Sequence, residues 1–160
     1  MSIVVDIMLL QTVSIAIASA GVFVAAIYYV LQIRHQTKLR QTDMVMRLYA
    51  TFGSKDYQEA YRGLYELEFK DYNDFKKKGY KRLHEVAILF EGIGILLHRK
   101  LVDVGLVDEI FSGVVKGIWE RIKPMIEGAR KEYNWPRMYE WFEYLYNEMK
   151  KREQRGVKSG

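Results

Sequence analysis

His84, Glu91 and His98 stand seven residues apart, and their side chains are of the types that bind metals or move protons. On a helix that spacing puts all three along one side, but successive members are about 10 Å apart along the axis. Helical metal ligands need spacings of three or four to converge on one ion. The trio therefore cannot share a metal, and no metal or cofactor is expected. Glu91 is left as the acid of interest, set between Phe90 and Gly92 beside an apolar seam. A carboxylate in such a place needs a cation or hydrogen-bond donors. Arg62, Arg82 and Arg121 are the candidates, which makes Glu91 a structural ion-pair candidate in preference to a catalytic acid.

Nucleophile chemistry finds no footing. There is no cysteine, which also excludes disulfides and thiolate metal sites. Ser54, Ser112 and Ser159 lie in no G-x-S-x-G elbow, and no His or Asp pattern flanks them. Gly92 and Gly94 fall inside a helical pattern instead of after a strand, and no G-K-[ST] follows, so no phosphate loop is present. No H-E-x-x-H occurs. The chain is expected not to be an enzyme of a common class.

The elements that would carry these residues come in two unlike parts. Ile7–Ile33 contains no charged residue, whereas every lysine and arginine lies at or after Arg34. The hydrocarbon core of a bilayer needs roughly 20 apolar helical residues. The stretch is read as a transmembrane helix over about 8–33, with residues 1–33 an anchor, 34–150 a helical cytoplasmic domain and 151–160 a basic flexible tail. Tyr28 and Tyr29 fall at the headgroup level, followed by Arg34, Lys38 and Arg40. The positive-inside rule then puts the N-terminus outside and the domain in the cytoplasm, at the cell membrane. Ala18-Ser19-Ala20 resembles a signal cleavage site, but no basic segment precedes it and the apolar run continues beyond it, so an uncleaved anchor is favoured. Small residues four apart (Ser14/Ala18, Ala16/Ala20, Gly21/Ala25) are the spacing that permits close helix approach in lipid.

Beyond the span, apolar residues recur at three and four, and no strand-like alternation of useful length appears. The fold class expected is all-α, one transmembrane helix followed by a small bundle. The helix leaving the membrane restarts at Thr42-Asp43 and stops at Gly53-Ser54, with Ser54 capping the next. Lys70–Gly79 reads as a charged connector. A helix over Tyr80–Lys100 buries Leu83, Ala87, Phe90, Gly94 and Leu97. Asp103 caps a long helix that Pro124 kinks or ends, and Gly113 and Gly117 mark a close neighbour. Asn134-Trp135-Pro136 restarts the chain into a final helix carrying Met138, Trp141, Phe142, Leu145 and Met149.

The net charge is +5. Arg34, Lys38 and Arg40, with Lys150, Lys151, Arg152, Arg155 and Lys158, suit anionic headgroups. Nucleic acid is disfavoured, since the aromatics fall at core spacing instead of interleaving with a basic stripe. Trp135, Tyr139 and Tyr144 fall off the final apolar seam and are the partner-surface candidates. The leading functional expectation is a membrane-anchored accessory protein that acts through a protein partner or a homo-oligomer. The alternative is a peripheral regulator that binds anionic lipid or nucleic acid through its basic faces.

The run Phe90-Glu-Gly-Ile-Gly-Ile-Leu-Leu-His-Arg-Lys-Leu-Val-Asp103, then Trp119 with Pro124, then Pro136-Arg-Met-Tyr139 with Phe142, resembles the domain of unknown function 4760 family. These are small bacterial and archaeal proteins, many with a membrane helix ahead of a helical domain. The resemblance extends from the basic segment after the span to Tyr146. It implies the same architecture and supplies no catalytic residue, because the family carries no assigned activity.

Overall fold

The structure, a computed structural model, describes residues 2–158, with side chains from Ile3 to Arg155 apart from Val5. The expected headgroup contact at Lys158 and the serine at Ser159 fall outside the described side chains. The described residues are all-helical: α1 (Ser2–Phe52), α2 (Lys55–Tyr65), α3 (Tyr72–Lys78), α4 (Tyr80–His98), α5 (Val104–Glu132) and α6 (Glu140–Lys158). The chain divides into two compact units, residues 1–40 and residues 41–160.

The first unit is one helix that meets the length and apolarity needed to cross a membrane. Its large apolar side chains from Ile3 to Leu39 are 49–75% exposed. Thr12, Ser14 and Thr37 turn their hydroxyls inward to the carbonyls of Met8, Leu10 and Ile33, so these three hydroxyls are satisfied within the helix.

The second unit is a bundle in which α4, α5 and α6 hold the core. α4 buries Leu83, Val86, Ala87, Phe90, Ile93, Gly94 and Leu97, a stripe at three- and four-residue spacing. α5 meets it with Val107, Phe111, Val115, Ile118, Trp119 and Ile122, and α6 with Phe142, Leu145 and Met149. Phe142 is the hub: its ring stacks on Phe90 at 4.7 Å and takes Trp119 edge-on at 5.0 Å. α2 is tied to α4 by the Tyr57 hydroxyl, which donates to the carbonyl of Val86 at 3.0 Å.

Caps explain most boundaries. The Ser54 hydroxyl accepts from the amide of Tyr57, and the Asp103 carboxylate from that of Leu106 at 2.9 Å. Five expectations need correction, the one at Pro124 only in part. Thr42-Asp43 does not interrupt α1, and Asp43 instead pairs with Arg47 one turn on at 2.9 Å. The charged connector contains a helix, α3, because Asp71 caps it and Phe75 is wholly buried beneath it. Of the two outcomes expected at Pro124, a kink or an end, the end does not occur: α5 continues, and its apolar face runs on through Met125, Ile126 and Ala129. Among the described residues, nothing beyond the local backbone and chain neighbours of α5 approaches Gly113 or Gly117 within 4 Å of where a Cβ would stand. The segment beginning at residue 151, expected to be a flexible tail, continues α6. The reason is electrostatic: Lys150 pairs with Glu120 and Arg152 with Asp108, both acids on α5.

Candidate functional site

A groove of about 990 Å³ opens between the outer side of α4 and the segment 135–141. Its α4 wall is a stripe that runs Lys81, His84, Glu85, Ile88, Glu91, Gly92, Ile95. At 1.5 Å per residue this stripe is about 21 Å long. The floor is apolar and open: Ile88 is 57%, Ile95 40% and Trp135 56% exposed. Trp141, Met138 and Tyr139 complete the far wall, and Arg137 and Glu140 stand on it as an ion pair at 2.6 Å.

Two devices build that wall. After α5 ends, Asn134 takes a φ of 46° and Tyr139 a φ of 56°. Left-handed backbone is uncommon for a bulky residue such as tyrosine, and the bonds around the turn hold it. The Arg130 side chain donates to the carbonyl of Met138 at 2.9 Å and to the Glu143 carboxylate at 2.7 Å. The amide of Trp135 donates to the carbonyl of Arg130 at 3.0 Å. Gly94 is the second device. A Cβ there would stand 2.1 Å from the carbonyl oxygen of Trp141, so α4 and α6 touch backbone to backbone, and only glycine admits the approach.

Glu91 lies at the seam between groove and core. Its carboxylate accepts from the amide of Phe142 at 2.7 Å. It thus caps the start of α6 from a different helix, satisfying one of the donors a helix leaves open at its N-terminus. The expected ion pair with Arg62, Arg82 or Arg121 is not made. Arg121 donates to the carbonyl of Leu67 and lies over Tyr65 and Phe69, and Arg82 packs against Gly63. Burial raises the Glu91 pKa above the usual carboxylate value, the amides of Phe142 and Trp141 offset part of the rise, and Glu140 and Arg130 act on it in opposite senses. Among the described residues no ion pair includes Glu91.

The other candidates separate. Tyr139 and Trp135 both line the groove, and the Tyr139 hydroxyl lies 3.3 Å from Nδ1 of His84. Burial raises the Tyr139 pKa, which keeps the phenol neutral. Tyr144 is elsewhere, edge-on to His98 at 5.4 Å, while His98 also faces Trp141 at 4.7 Å. His84 and His98 therefore have different surroundings. Tyr28, Tyr29, Arg34, Lys38 and Arg40 are exposed on the first unit. Ile88, Gly92, Ile95 and Arg137 were not singled out from the sequence. Their signal was present: Ile88 and Ile95 are seven apart and share the register of Glu91 instead of the buried seam.

The motif residues of α4, Glu91 and Gly94 above all, thus turn out to be those that seat α6. The profile described as Domain of unknown function (DUF4760) matches residues 15–149. The chain belongs to the DUF4760 family. Comparison with curated proteins and with solved structures returns no match. The DUF4760 match covers every residue of the groove and most of the apolar helix of the first unit.

Proposed function

We propose that this DUF4760 protein is a single-pass membrane protein whose helical domain docks a protein partner at the cytoplasmic face. The observation that carries the membrane part is a charge-free helix, Ile7–Ile33, with every described side chain in the open. At 1.5 Å per residue it is about 40 Å long, enough for a hydrocarbon core of about 30 Å with some tilt. Apolar surface of this extent needs lipid or another chain to cover it. The basic residues Arg34, Lys38 and Arg40 support an inside position for the domain. The groove supports the docking part, since it is concave, largely apolar and ringed by a few polar groups.

The lipid or nucleic-acid alternative is less supported. Three of its cations are already engaged: Lys150 with Glu120 at 3.1 Å, Lys151 with Glu148 at 2.7 Å and Arg152 with Asp108 at 3.2 Å. The cations beside the span remain suited to headgroups.

The test uses the full chain in its native membrane. Alkaline carbonate should leave it in the pellet, and release into the aqueous fraction would overturn the anchor. A photo-crosslinking residue at Ile88 should form a discrete adduct that Gly92→Leu abolishes, while the same residue at Lys55 on α2 should not. Equal labelling from both positions would overturn the groove as the docking surface.

A further inference from the structure

We propose that the groove takes a helical segment of a partner protein that presents a lysine or arginine within an apolar face, with the cation seated over Glu91. The inference rests on the docking reading above and specifies its occupant.

Length argues for a helix. The α4 wall offers a strip about 21 Å long, the reach of roughly fourteen helical residues, and its exposed isoleucines, Ile88 and Ile95, are two turns apart. That is the pattern of a helix laid in a groove, with anchors spaced at i, i+3, i+4 and i+7. Gly92 supplies the room. It sits in the interior of α4, where glycine is unfavourable by about 0.5–1 kcal/mol against alanine. Among the described residues, nothing beyond the local backbone and chain neighbours of α4 lies within 4 Å of where its Cβ would stand. Packing within the chain therefore does not require a glycine at 92, whereas Gly94, two residues on and nearly opposite on the helix, is required by Trp141.

Charge sets the sign. The chain carries a net +5, yet the groove holds Glu85, Glu91 and Glu140 against Lys81 and Arg137. Lys81 and Arg137 are paired with Glu85 at 3.8 Å and Glu140 at 2.6 Å. Glu91 is left with amide donors and no cation among the described ion pairs, in a groove also lined by Trp135, Trp141 and Tyr80. Aromatic rings and a carboxylate facing one space favour a cation with apolar neighbours.

The probe is a fifteen-residue helical peptide with leucines at i, i+3, i+4 and i+7 and one central lysine, compared with versions carrying norleucine or glutamate there. The full chain is held in neutral phosphatidylcholine nanodiscs, binding is read by tryptophan fluorescence, and empty nanodiscs serve as the blank. The lysine peptide should bind at least about tenfold more tightly than the glutamate peptide, as expected of a close charge pair. Glu91→Gln keeps an acceptor for the Phe142 amide and should erase the preference for lysine over norleucine. Gly92→Leu should abolish binding of all three peptides while the helical content and melting temperature are maintained. If all three peptides bind alike to the wild type, the cationic occupant is overturned and the docking groove stands. If no peptide binds, or Gly92→Leu binds as well as wild type, the groove reading itself falls. Concentration-dependent self-association that Gly92→Leu removes would show a second copy to be the occupant and overturn the partner helix.

Discussion

Glu91 couples a helix start to a groove, and its protonation should be visible in stability. Burial raises its pKa in the folded protein, so the folded state keeps a proton that the unfolded chain releases at ordinary carboxylate pH. The contribution of this group is therefore fullest below the unfolded pKa and declines as pH rises through the raised one. Glu91→Gln should remove that decline and leave stability at neutral pH within about 1 kcal/mol of wild type, because an acceptor for the amide remains. Glu91→Leu orphans the Phe142 amide and should cost about 1–3 kcal/mol. Urea melts of the two variants from pH 4 to pH 8 check both, and an unchanged pH slope in the glutamine variant would assign the effect elsewhere. Gly94→Ala forces a methyl into the Trp141 carbonyl and should cost about 1–3 kcal/mol or more, as overpacking does. Its thermal melt, set beside that of Gly92→Ala, separates a glycine that packing requires from one that it does not.

At the scale of elements, Gly92→Ala should stabilise the bundle by about 0.5–1 kcal/mol through helix propensity alone, read as a higher denaturant midpoint. Phe75→Ala removes the buried anchor of α3 and should cost about 3–5 kcal/mol. The bond network of Tyr72 and Lys76 with Glu132 would then be left to hold α3 on its own. Most of the bundle was readable from its residues. The predicted stripe on α4 is buried at every position, and Ser54 and Asp103 cap the helices expected of them, because long amphipathic helices repeat their signal several times. α3 was missed for the converse reason. Seven residues hold less than two periods, and its single core residue sits among lysines whose charge dominates any local average. The continuity of α5 through Pro124 is a tertiary effect: the buried residues on both sides are held by their neighbours, and no local rule reports that. The site was half legible. Trp135 and Tyr139 could be picked as residues off the seam. The cap that Glu91 provides could not, since its partner is a backbone amide and leaves no side-chain signature in the sequence.

For the whole molecule, the proposed anchor makes the sharpest forecast. A lysine at the middle of a membrane helix costs about 2.5–3.5 kcal/mol in insertion, so Gly21→Lys should lower the carbonate-resistant fraction, whereas Lys38→Gln should leave that fraction unchanged. Equal extraction of the two variants would contradict the span. One consequence of the way α6 is seated concerns the order of assembly. The wall formed by residues 135–141 is shaped by the start of α6, which is held by Arg130 of α5 and by Gly94 and Glu91 of α4. A chain in which those two helices have not yet come together has no such wall, so the groove is completed only when all three helices have met.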